Sequence, residues 1–231
     1  NNAIFFTASP DDVSQRYLFK ATLDGSAPVT RITPTEFSGT NNYYMSEDTS
    51  WARHSFSSFA KPTMRQVISV NDHKAIKSLV KNEELTAQLA NENLPTHEFF
   101  QVEARDGVKL DGYIMLPPNM DKSKKYPIIF YVYGEPWGQT VKDSWRGNSY
   151  LWDSMMAQKG YIIASVDNRG TRAPKGRDWR KSIYKKLGDI TARDQADALG
   201  EMAKRWSFID TDRVGVWGHS GGGTQTLNLL F

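Results

Sequence analysis

The sequence predicts an α/β protein whose second half is a mostly parallel sheet with flanking helices, preceded by a segment of short β-strands. Up to about Val70, short apolar runs alternate with turn signals such as Asp24-Gly25, which is typical of antiparallel strands. From Tyr126 onward, continuous apolar runs alternate with segments of helical spacing. Strands buried on both faces and joined by helices are typical of a parallel sheet.

The composition is that of an ordinary globular protein and argues against several kinds of function. The 231 residues include 29 Lys and Arg, 26 Asp and Glu and no Cys, with a formal net charge of +3. A charge so near balance gives no support for a nucleic acid partner or for contact with a membrane. The lack of cysteine excludes disulfides and thiolate metal sites. We interpret the basic residues at 122–125 and 177–186 as solvated loop faces, and the sequence indicates no cofactor and no metal site.

Residues 1–70 contain six predicted strands separated by turns. These strands cover residues 4–8, 17–23, 29–33, 42–45, 54–57 and 65–70. A spacing of about ten residues suits an antiparallel sandwich or the blades of a propeller. Since one blade takes about 40 to 45 residues, this region would supply one blade and part of another.

Residues 71–94 are polar and predict a linker with one short helix over 82–90, so we place a domain boundary there. The second domain, 95–231, begins with a hairpin of two strands, 98–104 and 109–116, across Asp106-Gly107.

The rest of the second domain alternates strands and helices. Strands are predicted at 126–133, 161–166 and 213–217, and helices at 149–159, 189–206 and 224–231. This alternation predicts an α/β layer architecture.

The stretch Gly218-His219-Ser220-Gly221-Gly222 follows the last predicted strand and precedes the last helix. Gly-x-Ser-x-Gly in a strand, sharp turn and helix is a nucleophile elbow, which raises a serine hydroxyl above the sheet. Ser220 is therefore the candidate nucleophile, and Gly218 and Gly222 are the elbow glycines. The backbone N–H of Gly221 is a candidate donor to the negative oxygen of a tetrahedral intermediate.

Five separated motifs resemble the prolyl oligopeptidase family of serine peptidases, especially its dipeptidyl peptidase IV branch. They occur in the order of the family and lie at residues 122–127, 132–136, 167–171, 187–195 and 208–213. The similarity is close over 95–231 and looser before it. One departure concerns the elbow, where the branch has Trp-Ser-Tyr and this chain has His219-Ser220-Gly221, so the side chains beside the nucleophile differ from those of the branch.

The resemblance implies a β-propeller that caps an α/β-hydrolase domain. It implies a peptide substrate from which an N-terminal dipeptide is released after Pro or Ala, and a homodimer in the full-length protein. It also implies a periplasmic, secreted or cell-surface location. In this branch a tyrosine hydroxyl at the end of the first apolar strand is the second oxyanion donor, and the matching residue is Tyr133; packing at a strand end is the alternative role.

The acid and base of the catalytic triad are expected outside this sequence. In α/β-hydrolases the order is Ser, Asp or Glu, then His, and no Asp, Glu or His follows Ser220 here. We therefore expect a piece of a longer polypeptide that is inactive alone. His54, His73, His97 and His219 are interpreted as structural or surface residues.

Two further questions stay open at this level. Another enzyme on the same fold, such as an oligopeptidase, acylaminoacyl peptidase or carboxylesterase, fits the sequence, as does a non-catalytic interaction module with a vestigial elbow. Asp167 and Arg169 fit either substrate binding or a buried ion pair that fixes a loop, while Asp194 and Asp197 are expected at a helix surface or between domains.

Overall fold

The computed structural model describes residues 2–231 and divides into two compact units. The first runs to Glu92 and also includes Lys142–Gly147; the second comprises Asn93–Val141 and Asn148–Phe231. The local sequence pattern does not indicate that 142–147 belong with the first unit.

The first unit contains two antiparallel sheets. Strands β1 (Ala3–Ala8), β2 (Tyr17–Thr22) and β3 (Thr30–Arg31) form one, and β4 (Thr40–Met45), β5 (Trp51–Ser58), β6 (Lys61–Ser69) and β7 (Ala75–Val80) form the other in chain order. Helix α1 (Glu83–Ala90) follows where a helix is predicted. Strand β7 lies where the sequence predicts a linker. Its sequence, Ala-Ile-Lys-Ser-Leu-Val, lacks the apolar alternation that signals a strand, and its side chains are mostly exposed.

A buried polar cluster supports the four-stranded sheet. His54 is fully buried; its Nε2 lies 2.8 Å from Asn41 Oδ1, and Gln66 Nε2 lies 3.2 Å from its Nδ1. The Tyr43 ring stacks on His54 with 4.6 Å between centroids, and the Tyr43 hydroxyl bonds His73 Nε2 at 2.8 Å. An imidazole that donates through Nε2 and accepts at Nδ1 is neutral. Burial lowers the pKa of His54 to about 3.

The second unit is built on one five-stranded sheet. Its strands are β8 (Thr96–Glu103), β9 (Lys109–Leu116), β10 (Tyr126–Tyr131), β11 (Ile162–Asp167) and β12 (Ile209–Trp217), in the spatial order β12-β10-β11-β9-β8. Strand β10 is parallel to β11 and β12, but β9 is antiparallel to both β11 and β8. The prediction of a mostly parallel sheet is therefore not confirmed. The hairpin of β8 and β9 joins the sheet beside β11 and makes half of the pairings antiparallel.

Four helices accompany this sheet: α2 (Asn148–Gln158), α3 (Gly176–Lys181), α4 (Leu187–Arg205) and α5 (Gly221–Leu230). Ala198 and Met202 of α4 belong to the same buried core as Ile128, Ile162 and Ile209 of the strands, as an amphipathic helix on a sheet requires. Helix α3 is not predicted, because six polar or aromatic residues carry no helical period. No helix of residues 2–231 is long and apolar enough to cross a membrane.

The fold gathers the candidate residues at one edge of this sheet. Because β10, β11 and β12 are parallel, their carboxyl ends share an edge, where α/β proteins place their sites. Tyr133 follows β10, Asp167 ends β11, and Ser220 follows β12.

The neutral state of His54 predicts that acid destabilises the first unit. An unfolded histidine takes up a proton near its usual pKa of 6.5, but folded His54 does so only near pH 3, so the unfolded chain binds more protons between these values. We expect the free energy of unfolding to fall below pH 6.5, by up to about 1.4 kcal/mol per pH unit. Urea titrations followed by tryptophan fluorescence at pH 7.5 and 5 would measure this.

His54→Gln should lessen that pH dependence, because glutamine does not titrate. His97→Gln, which changes an exposed residue of β8, is the matched control and should leave it unchanged. Equal pH dependence in wild type and His54→Gln would contradict the assignment.

Candidate active site

The turn between β12 and α5 holds Ser220 in a strained backbone conformation. Its φ is 56° and its ψ is −123°, a region that costs a non-glycine residue about 1 to 3 kcal/mol. The Ser220 carbonyl accepts the N–H groups of Gly223, at 2.8 Å, and Thr224, at 3.3 Å, so the helix begins there. Serine is a favoured N-cap, yet the Ser220 hydroxyl makes no capping hydrogen bond. The side chain is exposed, so its oxygen is accessible for chemistry.

Two glycines let the elbow approach the end of β10. A Cβ atom on Gly218 would lie 2.6 Å from the carbonyl carbon of Gly222 and would overlap the carbonyl oxygen of Val132. One on Gly222 would overlap the same Val132 oxygen and lie 3.2 Å from the Tyr133 Cα. These neighbours are backbone atoms and cannot rotate away. Both positions therefore require glycine.

Tyr133 begins the loop that adjoins the elbow. Val132 N–H donates to the Trp217 carbonyl at 3.0 Å, which extends the β10–β12 pairing to the turn. The Tyr133 ring lies directly on Gly138, whose added Cβ would be 2.5 Å from ring atoms Cδ1 and Cε1. Between them, Gly134 has a φ of 79° and packs closely on Thr191 and Gln225. The tyrosine is thus held at both its backbone and its ring.

Gly221 has a neighbour that the sequence does not single out. The Glu135 side chain lies against its Cα, in the space that a Cβ would occupy. Glu135 is half-buried. Its carboxylate has no hydrogen-bond or ion-pair partner in the part of the chain that the structure describes. Nothing in the local pattern could have shown this contact, because Glu135 is separated from Gly221 by 86 positions of sequence.

The four histidines have separate settings. His54 and His73 belong to the polar cluster of the first unit. His97 is on β8, at the opposite edge of the sheet from β12, and strands lie about 4.8 Å apart. His219 is exposed and precedes Ser220. The structure therefore gives neither His97 nor His219 the position of a triad base that approaches Ser220 from another loop.

Asp167 and Arg169 do not pair with each other. Asp167 is buried and accepts hydrogen bonds from Thr140 N (2.8 Å), Thr140 Oγ1 (3.0 Å) and Val141 N (3.1 Å). Burial raises the pKa of Asp167 to about 6. Asp167 therefore fixes the segment that follows the Tyr133 loop. This is the structural role expected from the sequence, but the partners are Thr140 and Val141 rather than Arg169.

Arg169 instead joins two other carboxylates. It donates to Asp194 through Nε at 2.9 Å and Nη2 at 2.8 Å, and to both Asp106 oxygens at 2.8 Å. Hydrogen bonds from Arg169 lower the pKa of Asp106 to about 2. Asp194 is fully buried, which corrects the expectation of a surface or interdomain charge. Asp197 pairs with Arg105 within the second unit.

Comparison with known proteins finds a matching family model. The model of the prolyl oligopeptidase family matches residues 148–231, which contain both Ser220 and its flanking strand and helix. The chain belongs to the prolyl oligopeptidase family.

Relatives within this family carry dipeptidyl peptidase names, which confirms the resemblance to that branch. The chain is 31% identical to a dipeptidyl peptidase 4 of Trichophyton equinum over 98% of its own length and 29% of that protein. It is 32% identical to a probable dipeptidyl-aminopeptidase B of Ajellomyces capsulatus over 98% of its length and 24% of the other. It thus spans less than a third of these relatives.

Two crystal structures are similar over 99% of the chain. Dipeptidyl peptidase 4 of Porphyromonas gingivalis has a TM-score of 0.89 with 29% identity, and a putative dipeptidyl aminopeptidase IV of Bacteroides ovatus has 0.80 with 27%. In each case the chain covers 31% of the other structure. The fold of the prolyl oligopeptidase relatives is therefore retained.

The packing of the elbow predicts different costs for two Gly→Ala changes. Gly222→Ala should lower the free energy of unfolding by about 1 to 3 kcal/mol, because backbone atoms block the new methyl group. Gly221→Ala should cost less, because only the Glu135 side chain has to move. Urea unfolding of each variant would measure the difference.

Gly200→Ala in α4 is the control, since nothing lies within 4 Å of its added Cβ. It should stabilise the chain by about 0.5 to 1 kcal/mol through helix propensity. A Gly222→Ala variant as stable as wild type would show that the elbow is not closely packed.

Proposed function

We propose that the chain carries the nucleophile of a serine peptidase that releases N-terminal dipeptides through an acyl-enzyme on Ser220. The backbone of Ser220 is the observation that carries this proposal. A serine held at φ 56° and ψ −123° between a strand and a helix, with its hydroxyl exposed and not used as a cap, matches the geometry of a nucleophile elbow. Such strain persists only where surrounding packing imposes it.

In the proposed reaction the Ser220 oxygen attacks the carbonyl carbon of the scissile peptide bond. Its proton passes to a histidine base, which then donates it to the departing amine, and water hydrolyses the resulting ester. The negative oxygen of the tetrahedral intermediate accepts hydrogen bonds from the Gly221 N–H and the Tyr133 hydroxyl. The base and its orienting carboxylate come from outside this sequence.

The remaining features of the proposal follow the family. We propose that the antiparallel sheets of the first unit are part of a β-propeller, because four-stranded sheets of this length are typical blades. The second unit is then part of an α/β-hydrolase domain. We further propose a peptide substrate, a homodimeric full-length protein and a periplasmic, secreted or cell-surface location. The names of the relatives support the peptide substrate.

Replacement of the two principal residues tests the chemistry. In a full-length protein that contains this chain, Ser220→Ala should abolish turnover. Tyr133→Phe should lower kcat by about 10²- to 10³-fold, as loss of one oxyanion donor does. Tyr131→Phe, which removes a hydroxyl two residues earlier, is the control and should change kcat little. Steady-state kinetics on an Ala-Pro chromogenic substrate would measure kcat for all three variants. An unchanged kcat for Tyr133→Phe would mean that Tyr133 only packs and does not donate to the oxyanion.

We also expect the 231-residue chain alone to be essentially inactive. Without a base to take its proton, a serine hydroxyl is a weak nucleophile. A fluorophosphonate probe should therefore label Ser220 in the isolated chain far more slowly than in the full-length protein. Comparable labelling rates would show that the base is within this sequence.

A pair of substrates separates dipeptide release from related reactions. Full-length protein should cleave Ala-Pro chromogenic substrate with a free amine and reject the N-blocked form. Cleavage of both at comparable rates would indicate an oligopeptidase or acylaminoacyl peptidase instead. Preference for a simple ester would indicate a carboxylesterase, and turnover of none of them would favour an interaction module.

A further inference from the structure

A cationic pocket lies on the second unit, outside the elbow. We call it the Trp137 pocket. Its volume is about 780 Å³, within the range of about 300 to 1,000 Å³ that is usual for ligand sites. Five basic side chains line it: Arg172, Arg177, Arg180, Lys181 and Lys185. Trp137 and Tyr184 add aromatic surface, and Trp137 is 73% exposed. No Asp or Glu is among its lining residues.

The charges of the Trp137 pocket have no counter-ions in the part of the chain that the structure describes. None of its five cations has an ion-pair partner among residues 2–231. Lys181 and Lys185 instead lie over the Tyr184 ring, 5.9 Å and 5.6 Å from its centroid. Grouped like charges repel one another and raise the local concentration of anions.

Several cations elsewhere in the second unit are paired with carboxylates. Arg105, Arg169, Lys175, Arg205 and Arg213 each pair with a carboxylate. The Trp137 pocket differs from this pattern because it brings five cations without carboxylate partners together in one cavity. An arrangement of this kind fits a negatively charged ligand.

The pocket adjoins the loop that carries Tyr133. Trp137 belongs to that loop, and the next residue, Gly138, lies against the Tyr133 ring. Arg172 N–H donates to the Gly138 carbonyl at 2.9 Å, which joins the cationic segment to the same loop. A ligand in the pocket would thus lie beside the loop that is proposed to supply an oxyanion donor.

We propose that the Trp137 pocket binds acidic side chains of a peptide substrate, which rests on the proposed peptidase function. Guanidinium groups of Arg172, Arg177 and Arg180 suit bidentate binding of Asp and Glu carboxylates. The exposed Trp137 ring offers apolar area to the peptide chain. Peptide is favoured over nucleic acid because the net charge of the chain is only +3, without the broadly basic surface typical of phosphate-backbone binding.

Direct binding tests this pocket without any need for turnover. The 231-residue chain with Ser220→Ala would be titrated into two fluorescein-labelled peptides, one alternating Glu and Ala and one alternating Gln and Ala, at low ionic strength. We expect the Glu peptide to bind at least about tenfold more tightly, since several carboxylate pairs each contribute modestly. Fluorescence anisotropy gives the two dissociation constants.

Two variants of equal charge locate the binding. Arg180→Gln with Lys181→Gln removes two cations from the pocket, whereas Lys122→Gln with Lys159→Gln removes two exposed cations from elsewhere on the same unit. We expect the pocket variant to weaken binding of the Glu peptide by about five- to tenfold and the control variant by less than about twofold. Circular dichroism and thermal melting would verify that both variants fold.

Three results would overturn the proposal. Equal losses in the two variants would mean non-specific attraction, and equal binding of the Glu and Gln peptides would mean that charge is not recognised. Displacement by a DNA oligonucleotide of the same charge at much lower concentration than by unlabelled Glu peptide would assign the pocket to nucleic acid. Because these readouts do not use Ser220, their failure is distinct from failure of the proposed catalysis, which the labelling and kinetic experiments report.

Discussion

The close approach of Gly218 and Gly222 to the carbonyl oxygen of Val132 is the constraint on which the candidate site depends. It brings the first turn of helix α5 against the end of strand β10, so closely that no side chain fits between them. The turn between them is short, so Ser220 has to adopt a positive φ. The same contact places the backbone of Tyr133 against Gly222. Ser220 and the adjoining loop therefore derive their positions from one backbone contact.

Buried carboxylates support the loops around that contact. Asp167 holds the backbone of residues 140 and 141, and Asp194 holds both the backbone and the guanidinium of Arg169. Charges of this kind are costly to bury unless each is well paired. Their hydrogen bonds are directional, however, and directional contacts order irregular segments that apolar packing alone would leave loose.

The sequence predicts the regular elements of this site better than its side-chain contacts. Ser220 and its glycines are recognisable because strand, turn and helix follow one another locally, while Tyr133 is indicated only by resemblance. Asp194 could not be assigned, because a charged residue in a helical pattern is normally exposed, and its partner is 25 positions away. Strand β7 and helix α3 carry no apolar period. The sheet order and the grouping of Trp137 with Arg180 depend on tertiary structure that no local pattern encodes.

The assignment of Lys142–Gly147 to the first unit has a consequence for covalent connectivity. The chain passes between the units after Glu92, after Val141 and again after Gly147, so neither unit is a single uninterrupted piece of polypeptide. After a cleavage at Glu92, residues 142–147 of the first unit would still be joined covalently to the second. A simple division of the sequence near residue 93 would deprive the first unit of six of its residues. Residues 142–147 would remain attached to the second unit, separated from the residues of the first unit with which they are grouped.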